Sequence, residues 1–172
     1  NRKTLSYPSI RTYIKNALVR VIMEKYPDVD VIAGVATGAI AQGVLVAEEL
    51  GLPFIYVRSS PKDHGLENLI EGDLKPKQKV VVVEDLISTG GSSLKAVEAI
   101  RKDGSEVLGM VAIFTYQFDS AAEKFKNAGV KLTTLSNYEA VLNEALATNY
   151  IGDKDIDTLR EWRANPAEWK KD

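Results

Sequence analysis

The sequence predicts an α/β fold in which an open, mainly parallel central sheet carries helices on both faces. Two observations support this prediction. Short apolar, β-branched runs alternate along the chain with segments of helical periodicity. The strongest run, Val80–Val83, is continuously apolar, as expected of a strand that is buried on both faces. The chain has 172 residues without a repeat, a low-complexity tract or a linker, so we expect residues 1–172 to form a single domain.

The elements of the first half follow from local patterns. Apolar residues recur at helical spacing in Leu5–Lys25, and Pro8 and Ser9 suit the start of a helix. A strand, a helix closed by Gly51, a second strand and a long loop are predicted to follow, in the order Val29–Ala36, Ile40–Leu50, Pro53–Val57 and Arg58–Leu74.

The second half continues the alternation. Asn137 suits the N-cap of a helix, and the tail Asp153–Trp169 is predicted as a helix that Pro166 interrupts. The other predicted elements are the strands Lys79–Val83, Val107–Phe114 and Lys131–Leu135, and the helices Ser92–Lys102, Ala121–Asn127 and Tyr138–Thr148.

The composition excludes several classes of protein. With 22 basic and 24 acidic residues the net charge is −2, so no global field attracts nucleic acid or an anionic membrane. The absence of cysteine excludes disulfides and thiolate chemistry. No apolar run approaches the roughly 20 residues of a membrane span, and no signal peptide is visible. We therefore expect a cytoplasmic protein that binds neither nucleic acid nor membrane.

The most informative segment is Val80–Ser93, which reads VVVVEDLISTGGSS. Two adjacent acids, Glu84 and Asp85, follow the apolar run, and a loop of small residues, Ser88–Ser92, then enters a helix. Glycines allow a tight turn, and the start of a helix binds anions, so the loop suits a phosphate while the acids suit vicinal hydroxyls. The combination fits a ribose 5-phosphate better than a plain capped turn, and the GxxxxGK[ST] and GxGxxG patterns are absent.

Two further segments follow predicted strands. Arg58–Leu74 carries Arg58, Lys62 and His64, the last being the only histidine of the chain. Cations on a loop that closes over a site neutralise a departing anion, and an imidazole suits proton transfer; a solvated charged loop is the alternative. Ala36–Ile40 is either a second anion-binding turn or an ordinary strand-to-helix turn.

These motifs resemble those of a known family. Val80–Ser93 is similar to the phosphoribosyl pyrophosphate (PRPP) motif of type I phosphoribosyltransferases, and Tyr56–Gly72 (YVRSSPKDHGLENLIEG) resembles the catalytic loop of orotate phosphoribosyltransferases. The resemblance extends from Asn1 to about Leu146. It implies transfer of ribose 5-phosphate from PRPP to orotate in pyrimidine biosynthesis. It also implies Mg²⁺ held mainly by PRPP, with no direct protein ligand, and a homodimer whose loop closes over the partner's site.

The resemblance implies roles for individual residues. Lys62, His64 and Asp85 are expected to be catalytic. The expected orotate contacts are Ser88, Arg2 and Tyr116, and the expected pyrophosphate turn is Ala36, Thr37 and Gly38. The expected PRPP-binding residues are Arg58, Lys62, His64, Glu84, Asp85, Leu86, Ile87, Ser88, Thr89, Gly90, Gly91 and Ser92.

The sequence departs from the family pattern at several positions. Some members carry lysine at the positions of Gly38 and Ser59, and arginine at the position of Tyr116. Asn1-Arg2-Lys3 resembles the end of a segment that covers the base, and we expect most of this N-terminal hood to lie outside the sequence given. The alternatives that remain are a type I phosphoribosyltransferase for a purine or uracil, and a non-catalytic regulator that binds PRPP.

Overall fold

A computed structural model describes residues 2–60 and 69–169. Its strands are β1 (Val31–Val35), β2 (Phe54–Val57), β3 (Ile70–Glu71), β4 (Lys79–Ile87), β5 (Glu106–Thr115) and β6 (Leu132–Asn137). They form one sheet in the order β3-β2-β1-β4-β5-β6. All neighbouring strands are parallel except β2 and β3, which are antiparallel. The predicted fold class, a mainly parallel sheet with helices on both faces, is confirmed.

The helices lie close to their predicted positions. A 3₁₀ helix (Arg2–Ser6) precedes α1 (Pro8–Lys25), α2 (Ile40–Leu50), α3 (Gly91–Lys102), α4 (Asp119–Asn127), α5 (Tyr138–Ala147) and α6 (Asp153–Ala164). Gly51 closes α2 with a φ of 66°, a conformation that favours glycine. The side chain of Asn137 accepts a hydrogen bond from the backbone N–H of Ala140 at the start of α5, as a cap does.

The central strand β4 explains the continuous apolar run. Val80 and Val82 face one core with residues of α3 and α4, whereas Val81 and Val83 face a second core with residues of α1 and α2. All four valines are completely buried. A strand covered on both faces has no solvent side, so its sequence does not alternate.

Two predicted boundaries were wrong. β4 extends to Ile87 because its second half pairs with β5, so Glu84 and Asp85 lie within the strand and not behind it. The loop predicted over Arg58–Leu74 contains β3, where Ile70 pairs with Val57 at the edge of the sheet. The last helix ends at Ala164, next to the interruption predicted at Pro166, because the residue before a proline is biased away from the helical region.

In the part of the chain that the structure describes, none of the helices combines the length and the apolar character that crossing a bilayer requires.

Candidate active site

A cavity of about 430 Å³ opens at the carboxyl ends of β1 and β4, which is where parallel sheets bind ligands. Three stretches of chain meet there: the 3₁₀ helix, the turn after β1, and the end of β4 with the loop into α3. The lining residues are Arg2, Val35, Ala36, Gly38, Glu84, Asp85, Leu86, Ser88, Thr89, Gly90, Ser92 and Ser93. The structure thus brings together predicted phosphate, ribose, pyrophosphate and orotate residues from separate parts of the sequence.

Several predicted site residues do not line this cavity. Ile87 is completely buried beneath it, and Thr37 and Gly91 belong to the same turns without lining it. Arg58 lies at the sheet edge, where its Nη1 is 3.5 Å from Oε1 of Glu71. Lys62 and His64 lie outside the described residues, so their predicted roles remain predictions.

The loop between β4 and α3 has a geometry that suits an anion. Gly90 stands immediately before α3 with a φ of 76°, and a Cβ there would lie 2.9 Å from the ring of Phe125. Lys124 Nζ donates to the carbonyl oxygen of Thr89 at 3.3 Å, so α4 supports the loop from beneath. The start of α3 presents backbone N–H groups and the positive end of the helix dipole to the cavity.

Asp85 lies between two other parts of the site. Its Oδ2 accepts a hydrogen bond from Arg2 Nε at 3.1 Å. On the other side, a Cβ at position 38 would lie 2.2 Å from the same oxygen. A side chain at position 38 would displace this carboxylate from its present position, so the turn after β1 and Asp85 are in close contact in this structure.

Glu84 is 4% exposed and forms two internal hydrogen bonds. Ser93 Oγ donates to Glu84 Oε2 at 2.8 Å, and the backbone N–H of Asp85 donates to Glu84 Oε1 at 2.9 Å. Burial raises the pKa of Glu84 to about 8, against the lowering effect of these two bonds. Glu84 therefore joins the end of β4 to the first turn of α3.

Ser93 is a site residue that the sequence reasoning missed. It lines the cavity and is almost completely buried. The signal was present in the sequence, because Ser93 shares a helical face with Val97 and Ile100 and is polar where that face is apolar. A buried hydroxyl needs a partner, and Glu84 provides it.

Tyr116 packs in an aromatic cluster and does not line the cavity. Its ring centroid lies 5.4 Å from that of Phe118, stacked, and 5.5 Å from that of Trp162, edge-on. Arg163 fixes the same stretch from α6 by donating to the carbonyl oxygens of Tyr116 and Gln117 at 2.9 and 2.7 Å. The predicted orotate contact of Tyr116 remains a prediction.

Within residues 2–60 and 69–169, no group of three or more His, Cys, Asp or Glu side chains could hold a metal ion. Two carboxylates, those of Glu84 and Asp85, line the cavity.

Comparison with known proteins identifies the family. The family described as phosphoribosyl transferase domain matches residues 8–147. Over 170 residues the chain is 68% identical to the orotate phosphoribosyltransferase of Phocaeicola vulgatus, an alignment that covers 99% of this chain and 80% of that protein. The chain belongs to the orotate phosphoribosyltransferase family.

Solved structures agree with this assignment to the orotate phosphoribosyltransferase family. The orotate phosphoribosyltransferase of Aeropyrum pernix has a TM-score of 0.78 and 29% identity, covering 88% of this chain and 82% of that one. The adenine phosphoribosyltransferase of Leishmania tarentolae has a TM-score of 0.64 at 23% identity, covering 79% and 74%, and shows the shared fold alone. As a member of the orotate phosphoribosyltransferase family, the chain is a pentosyltransferase.

Proposed function

We propose that this chain transfers ribose 5-phosphate from PRPP to orotate, giving orotidine 5′-monophosphate and pyrophosphate. The observation that carries the proposal is the cavity at the ends of β1 and β4, where an anion-binding helix start and the Asp85 carboxylate line one space. A ribose 5-phosphate needs both of these features, a phosphate site and a hydroxyl acceptor, at a short separation.

The PRPP-binding residues divide by the group they bind. Ser88–Ser92 bind the 5-phosphate through backbone N–H groups and hydroxyls, as helix starts bind anions. Asp85 accepts hydrogen bonds from the ribose hydroxyls. Leu86 and Ile87 connect the two parts, and Glu84 orients them through its bonds to Ser93 and to the backbone of Asp85.

The reaction breaks the bond from ribose C1 to the pyrophosphate oxygen and forms a bond from C1 to orotate N1, whose proton passes to the departing pyrophosphate. Positive charge grows on the ribose, where the carboxylate of Asp85 stabilises it. Negative charge grows on pyrophosphate, which the backbone of Ala36, Thr37 and Gly38 binds. Arg58, Lys62 and His64 complete this neutralisation when the loop closes and water is excluded.

The orotate end of the site is assigned to two residues of the cavity. Arg2 lines the cavity and carries the planar guanidinium that pairs bidentately with a carboxylate. Ser88 lies in the same lining and supplies a hydroxyl. Orotate bound by these two residues would have its ring next to the ribose C1 that its N1 attacks.

Mg²⁺ is the proposed cofactor. It is usually held in part by substrate phosphates, so a cavity that suits the phosphates of PRPP also suits the cation that PRPP carries. When bound to PRPP oxygens, Mg²⁺ would neutralise pyrophosphate charge without a direct protein ligand.

The proposed assembly is a cytoplasmic homodimer of single-domain subunits, each loop closing over the partner's site. Support comes from an apolar surface near the start of α1, where Tyr7, Ile10 and Tyr13 are exposed, Tyr13 to 76%. Exposed apolar patches of this kind are typical of protein interfaces.

The test is to incubate the protein with PRPP, Mg²⁺ and orotate, and to follow both the loss of orotate absorbance and the release of pyrophosphate. Parallel reactions contain adenine, hypoxanthine or uracil, and the Asp85→Asn variant is the matched control. Orotate-dependent pyrophosphate release by the wild type but not by the variant supports the proposal. Release with another base indicates a different specificity. PRPP binding without release for any base indicates a regulator and contradicts the proposed activity.

A further inference from the structure

We propose that Arg2 occupies the ribose-binding oxygen of Asp85 in the ligand-free enzyme, and that ribose binding releases Arg2 to bind the carboxylate of orotate. Ribose binding would then remove the competitor for Arg2, so each ligand is expected to favour the binding of the other. This inference rests on the proposed function and adds to it an exchange of partners between two substrate-binding residues.

Arg2 and Asp85 form a pair in this structure. Arg2 Nε donates to Asp85 Oδ2 at 3.1 Å, although the two residues are 83 positions apart in the sequence. The arginine belongs to a short helix that is fixed locally, because Arg11 Nη1 donates to the carbonyl oxygen of Leu5 at 2.8 Å. The contact therefore joins an anchored N-terminal turn to the end of β4.

Oδ2 of Asp85 has close neighbours in this structure. A Cβ built at position 38 would lie 2.2 Å from this oxygen, and Arg2 Nε donates to it at 3.1 Å. The side chain of Asp85 is only 13% exposed. A ribose hydroxyl that donates to Oδ2 therefore takes the place of the guanidinium.

Release from Asp85 leaves the guanidinium of Arg2 able to bind another anion. Arg2 is bonded to Asp85 through its Nε at 3.1 Å, and ribose binding would break this bond. While Asp85 holds it, an orotate carboxylate competes with an intramolecular partner of the same charge. Once ribose occupies Asp85, this competition ends. By linkage, each ligand then strengthens the binding of the other by the same factor.

The size of the effect follows from the exposure of the pair. Exposed ion pairs contribute about 0–1 kcal/mol, which corresponds to at most about a fivefold change in affinity. Truncation of Arg2 should therefore tighten ribose 5-phosphate binding by about two- to fivefold, since the competing donor is removed. The same variant should weaken orotate binding.

The experiment is calorimetric titration with ribose 5-phosphate, which lacks the leaving group and cannot react, and with orotate, each alone and with the other at saturation. It compares the wild type, Arg2→Ala and Lys3→Ala. Lys3 is an exposed neighbour, so its variant makes the same change in net charge next to the site without removing the contact to Asp85. We expect tighter ribose 5-phosphate binding and weaker coupling between the two ligands in Arg2→Ala only.

The outcomes separate the two proposals. If the wild type binds ribose 5-phosphate and Arg2→Ala binds it equally or more weakly, or keeps the full coupling, the exchange is wrong while the proposed function stands. A twofold or larger gain that Lys3→Ala shares would also overturn the exchange, since it would come from net charge. If the wild type binds no ribose 5-phosphate, the proposed function fails and the exchange fails with it.

Discussion

At the scale of single residues, Glu84 combines burial with a carboxyl group. Burial raises its pKa to about 8, while the hydrogen bonds from Ser93 and from the backbone of Asp85 oppose this shift. The carboxyl group of an unfolded chain titrates near 4.5. Between these two values the folded protein holds a proton that the unfolded chain has released. The free energy of unfolding therefore falls as pH rises through this window.

The Glu84→Gln variant tests this pH dependence. Its amide keeps the shape of the side chain but has no proton to release, so we expect the fall in unfolding free energy from about pH 5 to about pH 8 to be smaller than in the wild type. Urea denaturation at several pH values measures it. Ser93→Ala is the companion variant, because it removes a bond that lowers the pKa and should extend the fall to higher pH. If the unfolding free energies of the wild type and Glu84→Gln change with pH in parallel, the raised pKa of Glu84 is contradicted.

Gly38→Ala tests the close approach of the turn to Asp85. The new methyl group would lie 2.2 Å from Asp85 Oδ2, so the turn or the carboxylate must move. A misplacement of about 1 Å can cost about 100-fold in rate, and we expect kcat/KM for PRPP to fall by about that factor. Steady-state kinetics measures it. Gly152→Ala is the control, because its Cβ would meet only ordinary van der Waals contact at 3.7 Å outside the cavity; equal activities of the two variants would contradict the prediction.

At the scale of elements, α6 clamps the chain that follows β5. Arg163 donates to two backbone carbonyl oxygens, and Trp162 packs against Tyr116 and Phe118. These contacts hold the residues between β5 and α4, and α4 contacts the loop between β4 and α3 through the bond from Lys124 to the carbonyl oxygen of Thr89. A helix far from the cavity in sequence is therefore linked to the loop that lines it.

Arg163→Ala should lower the free energy of unfolding by about 1–3 kcal/mol, because hydrogen bonds from a charged donor are lost and two carbonyl oxygens lose their partner. Chemical denaturation measures this loss. Arg160→Ala is the matched control in the same helix, since Arg160 pairs with Glu139 at the surface and its loss should have little effect. Equal destabilisation by the two substitutions would show that the backbone contacts of Arg163 are unimportant.

The elements also show how far sequence reasoning extends. Strong periodicity and clear caps located α1, α2 and α5 almost to the residue. β3 was missed because two residues carry no period, and its pairing depends on the neighbouring strand β2. The position of Asp85 in the cavity was predicted, but its contacts with Arg2 and Gly38 were not, since they join residues far apart in the chain.

At the scale of the whole molecule, the proposed dimer with shared loops makes a prediction about mixed subunits. Lys62→Ala removes a loop cation and Asp85→Asn removes the ribose acceptor, so each variant alone should be nearly inactive. If loops cross between subunits, a hybrid dimer has one site with both changes and one site with neither. Random exchange of equal amounts then restores about a quarter of the wild-type activity.

The measurement is orotate consumption after the two variants are mixed under conditions of subunit exchange, with each variant mixed with itself as the control. Size-exclusion chromatography establishes the dimer beforehand. Activity that stays at the level of the separate variants would mean that each loop serves its own subunit, and a monomer would rule out sharing altogether.

The antiparallel pairing of β2 with β3 has an evolutionary consequence. The backbone N–H of Arg58 donates to the carbonyl oxygen of Leu69 at 2.8 Å, so the chain leaves and rejoins the sheet at one point of its edge. The register of β2 against β3 is set by the residues at these two anchors and in the strands themselves. Evolution can therefore change the sequence between positions 58 and 69 while the sheet keeps its register.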